Sequence, residues 1–369
     1  MALSADERAA QQPPKECEIA GNPSTQPLEI DGAHGEGGGQ LLRTAVALSA
    51  VTGREVRVHD IRRGRDKPGL APQHLAATRA VAAVCGATVE GLALRSQQIC
   101  FSPGRLRGGR YRFEIGTAGS VTLVLQALLP ALIAAADHFD ITVTGGTDVR
   151  MAPPIDYLCE VLLAHLTRMG AHVEVKIVRR GYYPAGGGEI QVRVHPGELR
   201  PDYLVAPGAL REVAGLAHVA RLRPDIATRM REAALARLPE PVSSRCRIEE
   251  RVLESEQAAG PGGAIVAWAR CANTVLGSGR VAERGKRAEE LGAAVGEELR
   301  ADLESGAAVD THAADQLLVY LALAGAGSIT TRTLSSHAQT AIWLIEQFLP
   351  VRFSTAVQGG LAGIAVAPR

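Results

Sequence analysis

Two similar stretches decide the fold of this chain: Val-Cys-Gly-Ala-Thr-Val-Glu at residues 84–90 and Arg-Met-Gly-Ala-His-Val-Glu at residues 168–174. Each follows an amphipathic helical pattern (Gln73–Val84 and Ile155–Met169) and leads into a run of alternating apolar and polar residues. A glycine between two such patterns is a helix-to-strand signal. Self-similarity of this kind predicts a repeated structural unit.

The similarity continues on both sides of the two glycines. In each copy a short strand, a glycine-rich loop, an apolar helix and a second strand precede it, and a glycine turn and a further strand follow. A third copy near the C-terminus has two helices (314–323 and 337–348) and strands at 328–332, 351–356 and 362–367. Alternating strands and helices predict an α/β class fold built of layers. We expect three repeated βαβαββ units forming one large domain.

Residues 204–299 do not match the repeat and have strand and helix patterns of their own. About a hundred residues suffice for a small domain. The predicted organisation is therefore a core at 27–203 and 300–369 with a smaller inserted α/β domain at 204–299. Residues 1–26 are polar and proline-containing and have no apolar core of a signal peptide, so they predict a flexible N-terminal extension.

Composition excludes several classes of protein. Hydrophobic residues make up 46% and charged residues 21%, which is typical of a folded chain and not of a disordered one. The longest apolar run is interrupted by Gln126 and Pro130, so no membrane span is expected. A net charge of +1 argues against coating of long nucleic acids. The six cysteines form no CxxC pair, and we expect reduced thiols in a cytoplasmic protein.

Two glycine-containing loops are candidate anion sites. Residues 35–43 place glycines before a helix, where backbone amides can approach an anion, and Glu36 could hold a metal ion. A plain strand-to-helix turn explains the same glycines equally well. Residues 61–74 carry four cations within six positions, between a strand and a helix. Arginine suits phosphate oxygens, although a charged surface loop is the commoner explanation of such a cluster.

Two further loops occupy corresponding places in the other copies. Residues 145–157 carry prolines and Tyr157, whose flat faces could hold a base, although prolines at a helix start are ordinary. Residues 334–340 carry His337 after two serines, a pattern more often found beside a helix cap. The repeat makes His337 equivalent to Gln73 and Pro154, so the three loop ends are expected to converge on one cleft.

Six segments, taken in this order, resemble the RNA 3′-terminal phosphate cyclase family: residues 35–43, 62–70, 116–120, 181–188, 314–317 and 336–340. The resemblance runs from about Leu28 to the C-terminus. It implies three repeats with an inserted α/β domain. It also implies an ATP-dependent conversion of an RNA 3′-phosphate into a 2′,3′-cyclic phosphate, with Mg²⁺ or Mn²⁺ as the divalent cation.

The resemblance also implies residue roles. His337 is the histidine that becomes adenylylated, and Glu36 is the metal-site residue. Phosphate and RNA-end binding falls to Arg43, Arg62, Arg65 and Gln73. Nucleotide binding falls to Gln126, Pro153, Tyr157, His312, Ala313, Ala314, Asp315 and Gln316. His312 departs from relatives that carry a tyrosine near the base, which leaves nucleotide selectivity open.

Two other functions remain as alternatives. Some relatives of this fold are non-catalytic proteins of ribosomal-RNA maturation, but those lack the histidine and several arginines that are present here. Enolpyruvyl transferases share the repeated architecture, but their chemistry gives no use for His337. The expected partner is an RNA 3′-phosphate end, with no membrane; a homodimer is left open.

Overall fold

The computed structural model describes residues 26–240 and 242–369. The predicted N-terminal extension lies, except for Gln26, outside the described residues. The described chain forms mixed α/β layers with four sheets of four strands each. The predicted α/β class is confirmed.

Three of the sheets have the same strand arrangement. In the first, two parallel strands are followed by two antiparallel ones, in the order β1-β2-β4-β3. The second sheet has the order β5-β6-β8-β7 and the third has the order β9-β14-β16-β15, with the same parallel and antiparallel pairs. Their strands are β1 (Leu28–Asp31), β2 (Val56–His59), β3 (Thr88–Glu90), β4 (Ile99–Ser102), β5 (Gly109–Glu114), β6 (Phe139–Gly145), β7 (His172–Arg179), β8 (Gly188–His195), β9 (Asp202–Leu204), β14 (Gly327–Thr331), β15 (Val351–Gln358) and β16 (Leu361–Pro368).

The first strand of the third sheet is a departure from the sequence prediction. β9 pairs in parallel with β14. It lies at the predicted start of the insertion. In the other two sheets a helix comes soon after the first strand, whereas about a hundred residues separate β9 from the corresponding helix of the third sheet. A strand of three residues is too short for its pattern to be recognised in the sequence, and its partner strand is far along the chain.

One helix is apolar on every side and lies at the centre of the large core. This helix, α3 (Val121–Ala134), buries 12 of its 14 residues. A helix that is hydrophobic all round has to be enclosed by other elements. It packs against α1 (Gly39–Thr52), α2 (Pro72–Cys85) and α8 (Thr311–Leu323).

Two more helices complete this core. Residues 155–168 form α4, with α-helical ends at Ile155–Tyr157 and Leu163–Arg168 and a π-helical stretch at Leu158–Leu162. The last helix is α9 (Ser336–Phe348), which packs against α1 and α8.

The fourth sheet has a different order and its own hydrophobic core. Its order is β11-β10-β12-β13, with β10 at Leu210–Ala220, β11 at Arg247–Leu253, β12 at Gly262–Cys271 and β13 at Val275–Val281. Helices α5 (Asp225–Leu235) and α7 (Ala288–Ser305) pack on it, and α6 (Val242–Arg245) is short. The position of this sheet agrees with the predicted insertion, whose limits at 204 and 299 stay a prediction.

A buried ionic cluster joins this fourth sheet to the second one. The Arg180 guanidinium donates to Asp148 at 3.2 Å and to Asp156 at 2.7 and 2.8 Å. Its Nη1 also lies 3.0 Å from Nε2 of His218 in β10. The Tyr182 hydroxyl is hydrogen-bonded to the other ring nitrogen at 3.0 Å. Removing one member of a buried ion pair costs about 3–5 kcal/mol, so this cluster fixes the two sheets to each other.

No helix among the described residues is long and apolar enough to cross a membrane. The described cysteines, at 85, 100, 159, 246 and 271, are all unpaired thiols.

Leu125→Ala tests the central role of α3. Leu125 is fully buried, so its truncation removes transfer free energy and leaves a cavity. We expect the free energy of unfolding to fall by about 2–5 kcal/mol in denaturant titration. Leu94→Ala is the matched control, because Leu94 is 57% exposed and should change stability by less than about 0.5 kcal/mol. Equal stability of both variants would contradict the enclosure of α3.

Candidate active site

The N-terminal halves of α1, α3 and α8 meet at one cleft. Its cavity volume is about 30 Å³. Four residues with predicted roles are among those that line it: Arg43, Gln126, Asp315 and Gln316. These residues come from all three helices. The loop ends expected to converge, at Gln73, Pro154 and His337, do not line this cleft, and their convergence stays a prediction.

A row of polar groups crosses the cleft from helix to helix. Nη2 of Arg43 donates to Oε1 of Gln126 at 3.3 Å. The Gln126 amide donates to Oε1 of Gln316 at 2.8 Å, and the Gln316 amide donates to the carbonyl of His312 at 3.0 Å. Gln126 is thus a polar interruption of α3 that ties α1, α3 and α8 together.

Arg43 is a buried cation without a counter-ion. It is 8% exposed, and its Nε has no hydrogen-bond partner. No described carboxylate pairs with it. Burial lowers the pKa of its guanidinium to about 10, which still leaves it charged at neutral pH. Because an unpaired buried charge is costly, such a group is suited to an anionic ligand.

His337 lies in the first turn of α9, facing Glu36. Its Nδ1 is buried, has no hydrogen-bond partner and lies 3.7 Å from Oε2 of Glu36. The His337 side chain as a whole is 45% exposed. The other carboxylate oxygen of Glu36 pairs with Arg65, whose guanidinium also donates to the Glu36 carbonyl at 3.0 Å. The three predicted residues therefore form one contact group.

The pKa of the His337 imidazole is lowered, first by burial. The nearby Asp315 carboxylate raises this pKa, and the charges of Arg43 and Arg65 lower it further. The net direction is down, so the neutral ring, with one unprotonated nitrogen, is the form at neutral pH.

Two hydrogen bonds hold the His337 turn in place. The Ser335 hydroxyl accepts from the backbone N–H of Ala338 and caps α9. The same hydroxyl donates to Asp315, which connects α9 to α8. The position of His337 beside a helix cap, expected from the two serines, is therefore correct.

Thr340 joins α9 to the Glu36 loop. Its hydroxyl accepts from the Glu36 N–H at 3.0 Å and donates to the Ser336 carbonyl at 2.8 Å. Gly35, at a φ of 60°, packs against the same hydroxyl, and a Cβ there would collide with it. Thr340 thus sets the separation of Glu36 from His337. The sequence analysis did not assign it a role, since the contact spans 304 positions of the chain.

The remaining phosphate-site candidates differ in their placement. Gln73 lies beside the 116–120 loop, within 3.4 Å of where a Cβ on Gly119 would be. Arg62 donates to the carbonyls of Lys67 at 3.0 Å and Gly69 at 2.8 Å, so it shapes its own loop.

His74, next to Gln73, was missed by the sequence analysis. It is 3% exposed, and its Nδ1 accepts from the Ala71 N–H at 3.1 Å. Its Nε2 faces Gly39, where a Cβ would collide with it. Burial, with Arg43 and Arg62 nearby, lowers its pKa to about 3, so it stays neutral. Its only sequence signal was its place at the end of the cationic segment.

The nucleotide-site candidates divide into open and buried residues. His312 is exposed and Pro153 is partly exposed. Tyr157 is 2% exposed, and its hydroxyl donates to Asp310 at 2.6 Å. The structure therefore presents no open Tyr157 face to a base, because the ring is held in the interior by Asp310. Ala313 and Ala314 have buried side chains, and the Ala313 N–H is taken by Asp310.

The comparisons with known proteins agree on one family. A family model described as RNA 3′-terminal phosphate cyclase matches residues 34–355. A protein of that name from Nitrosospira multiformis is 51% identical over 92% of this chain and 96% of its own length. Proteins of the same name from Ralstonia nicotianae and Methanopyrus kandleri are 47% and 44% identical, over 90% and 88% of this chain and 94% of each relative.

Thr340→Val tests the link between α9 and the Glu36 loop. Valine keeps the shape but leaves the Glu36 N–H without its acceptor, and we expect a loss of about 1–3 kcal/mol in the free energy of unfolding. Thr340→Ser, which keeps the hydroxyl, should lose less than half of that. Chemical denaturation of both variants measures the difference. If serine and valine are equally destabilising, the hydroxyl does not hold the loop.

Proposed function

The chain belongs to the RNA 3′-terminal phosphate cyclase family, and we propose that it uses ATP to close an RNA 3′-phosphate into a 2′,3′-cyclic phosphate through a covalent His337–AMP intermediate. The observation that carries this proposal is a half-exposed, neutral imidazole beside Glu36 and near the uncompensated charge of Arg43. RNA 3′-phosphate ends and ATP are the substrates that the family implies.

In the first step, Nε2 of His337 attacks the α-phosphorus of ATP, the bond from that phosphorus to the bridging oxygen breaks, and pyrophosphate leaves. Nε2 is the reactive nitrogen because Nδ1 is buried against Glu36. The imidazole becomes positively charged as the N–P bond forms. The Glu36 carboxylate, 3.7 Å from Nδ1, stabilises that charge and the Nδ1 proton.

In the second step, an oxygen of the RNA 3′-phosphate attacks the same phosphorus, and the N–P bond breaks to regenerate neutral His337. In the third, the 2′-hydroxyl attacks the activated 3′-phosphorus, its proton passes to solvent, and AMP leaves. Splitting the reaction gives the weak 2′-hydroxyl nucleophile a good leaving group. Alignment of the vicinal hydroxyl with the leaving AMP then contributes most of the acceleration of ring closure.

Arg43 and Arg65 are suited to the phosphoryl charge that these steps develop. Arg43 brings a buried, unpaired cation, whose interaction with a phosphate is strong because the surroundings exclude water. Gln126, Asp315 and Gln316 line the same cleft and could receive the nucleotide. His312 offers an exposed ring for the base, and Pro153 a second apolar face.

A divalent cation at Glu36 is part of the proposal, and it would compete with Arg65 for the carboxylate. Mg²⁺ binds proteins through one or two carboxylates together with substrate phosphates, and Glu36 supplies a carboxylate that is only 17% exposed. The ion would neutralise charge on the phosphate oxygens. The groups of candidate metal ligands in the described chain, Asp31-His59-Asp60 and Asp148-Asp156-His218, do not include Glu36, and Arg180 already fills the second one.

The alternatives give different products. A ribosome-assembly role requires no nucleotide transfer, and enolpyruvyl transfer requires no histidine nucleophile. A cytoplasmic location and a homodimer stay predictions.

His337→Ala should abolish labelling of the protein by ATP that carries radioactive α-phosphate, while the fold is kept. A side chain next to the cap contributes at most about 1 kcal/mol to stability. The label in the unmodified protein should be acid-labile and should be released by RNA with a 3′-phosphate. His172→Ala, at an exposed histidine on β7, is the control and should label normally. Full labelling of the His337 variant would refute the assignment.

The rate of labelling by ATP should fall only on the acidic side of the pH range. Since the His337 pKa is lowered, the neutral nucleophile persists as the pH falls to the ordinary histidine value of about 6.5, and the rate should decline only below it. Asp315→Asn removes a charge that raises this pKa, so the acidic limb should move to lower pH. A shift of the acidic limb to higher pH in Asp315→Asn would contradict the electrostatic explanation of the His337 pKa.

A further inference from the structure

Tyr183 is an aromatic residue directed to solvent from a well-supported turn. It lies between β7 and β8 and is 70% exposed, whereas its neighbour Tyr182 is 4% exposed. The Tyr182 ring is held inward by His218 and by Gly262, which packs directly against it. Because Tyr182 is held inward, Tyr183 is directed outward.

The turn that carries Tyr183 is held by several hydrogen bonds. The Gly186 N–H donates to the Tyr182 carbonyl at 2.7 Å. The guanidinium of Arg179 donates to the Gly187 carbonyl from two nitrogens, at 3.1 and 2.8 Å. The backbone of Arg180 is bonded on both sides to the 257–259 segment of the fourth sheet's unit. The backbone that carries the ring is therefore held in place and loses little conformational freedom on binding.

This turn adjoins the loops of the candidate active site. Gly186 packs on the backbone of Thr117 and Ala118, and Gly119 of that loop packs against Gln73. On the other side, Gly181 accepts from the N–H groups of the loop that leads to Pro153. All these segments follow the carboxyl ends of β5, β6 and β7, the edge where α/β sheets bind their ligands.

We propose that Tyr183 is the stacking platform for a base near the 3′ end of the RNA. A second apolar side chain, Met151, is 94% exposed on the neighbouring loop, whose Asp148 pairs with Tyr182. Single-stranded RNA is commonly held by aromatic rings on which its bases stack, and every base can do so. Such a contact can hold the end of an RNA strand without a long row of basic residues, which agrees with the net charge of +1.

The occupant is RNA and not the nucleotide cofactor. The cofactor candidates Gln126, Asp315 and Gln316 line the cleft between helices, whereas Tyr183 is not among the residues that line it. The proposal rests on the proposed function for its substrate. It predicts a contact specific to the base and not to the phosphate.

Tyr183→Ala tests the platform. The dissociation constant of a short 3′-phosphorylated RNA, measured by fluorescence anisotropy with the full chain, should rise about tenfold, as expected for the loss of one stacked base. Tyr183→Trp should bind within about twofold of the unchanged protein. Tyr203→Ala, at a tyrosine that is 63% exposed on β9, is the matched control and should leave affinity unchanged.

An RNA with abasic ribose at its last two positions separates stacking from a structural effect. It should bind the unchanged protein as weakly as the normal RNA binds Tyr183→Ala, and the substitution should cause no further loss. Unchanged affinity of Tyr183→Ala for normal RNA, or an equal loss for the abasic RNA, would overturn the proposal. Labelling with ATP alone reports separately on His337, so failure of the chemistry is distinguishable from failure of the platform.

Discussion

The enclosure of α3 is the constraint on which the rest of the large core depends. A fourteen-residue helix with almost no polar surface has no side that can face water, so α1, α2 and α8 surround it. Surrounding one helix with others from three similar units brings the helix starts to a common place. Gln126, a rare polar residue of α3, points into that place and joins Arg43 to Gln316. Packing and site geometry therefore have the same origin.

The electrostatics of the cleft follow from this burial. Charges in a region poor in water interact strongly, and Arg43 keeps its charge without a carboxylate to share it. The same surroundings keep His337 and His74 neutral. A site with charged guanidinium groups and uncharged imidazoles suits reactions at phosphorus, where negative charge is spread over several oxygens and a nitrogen lone pair is needed.

Local patterns in the sequence predicted most of the helices, the strands and the α/β class, because periodicity and glycine positions are local properties. The family resemblance, and not a local pattern, grouped Glu36, Arg65 and His337 in one site, and the structure shows the three residues in contact. Local patterns failed where a feature depends on residues far apart in the sequence. β9 pairs with a strand far along the chain, and Thr340 contacts a loop 304 positions away. The buried state of Tyr157 was hidden for the same reason, since Asp310 is its partner.

The cluster around Arg180 limits how this architecture can be rearranged. Its members come from the β6–α4 loop, the start of α4, the turn after β7 and the C-terminal part of β10, so neither the core nor the fourth sheet's unit holds a complete set. A chain from which that unit had been excised would leave a guanidinium and two carboxylates facing a gap. The unit is consequently not freely exchangeable, because a replacement would have to supply the His218 ring that Arg180 and Tyr182 contact.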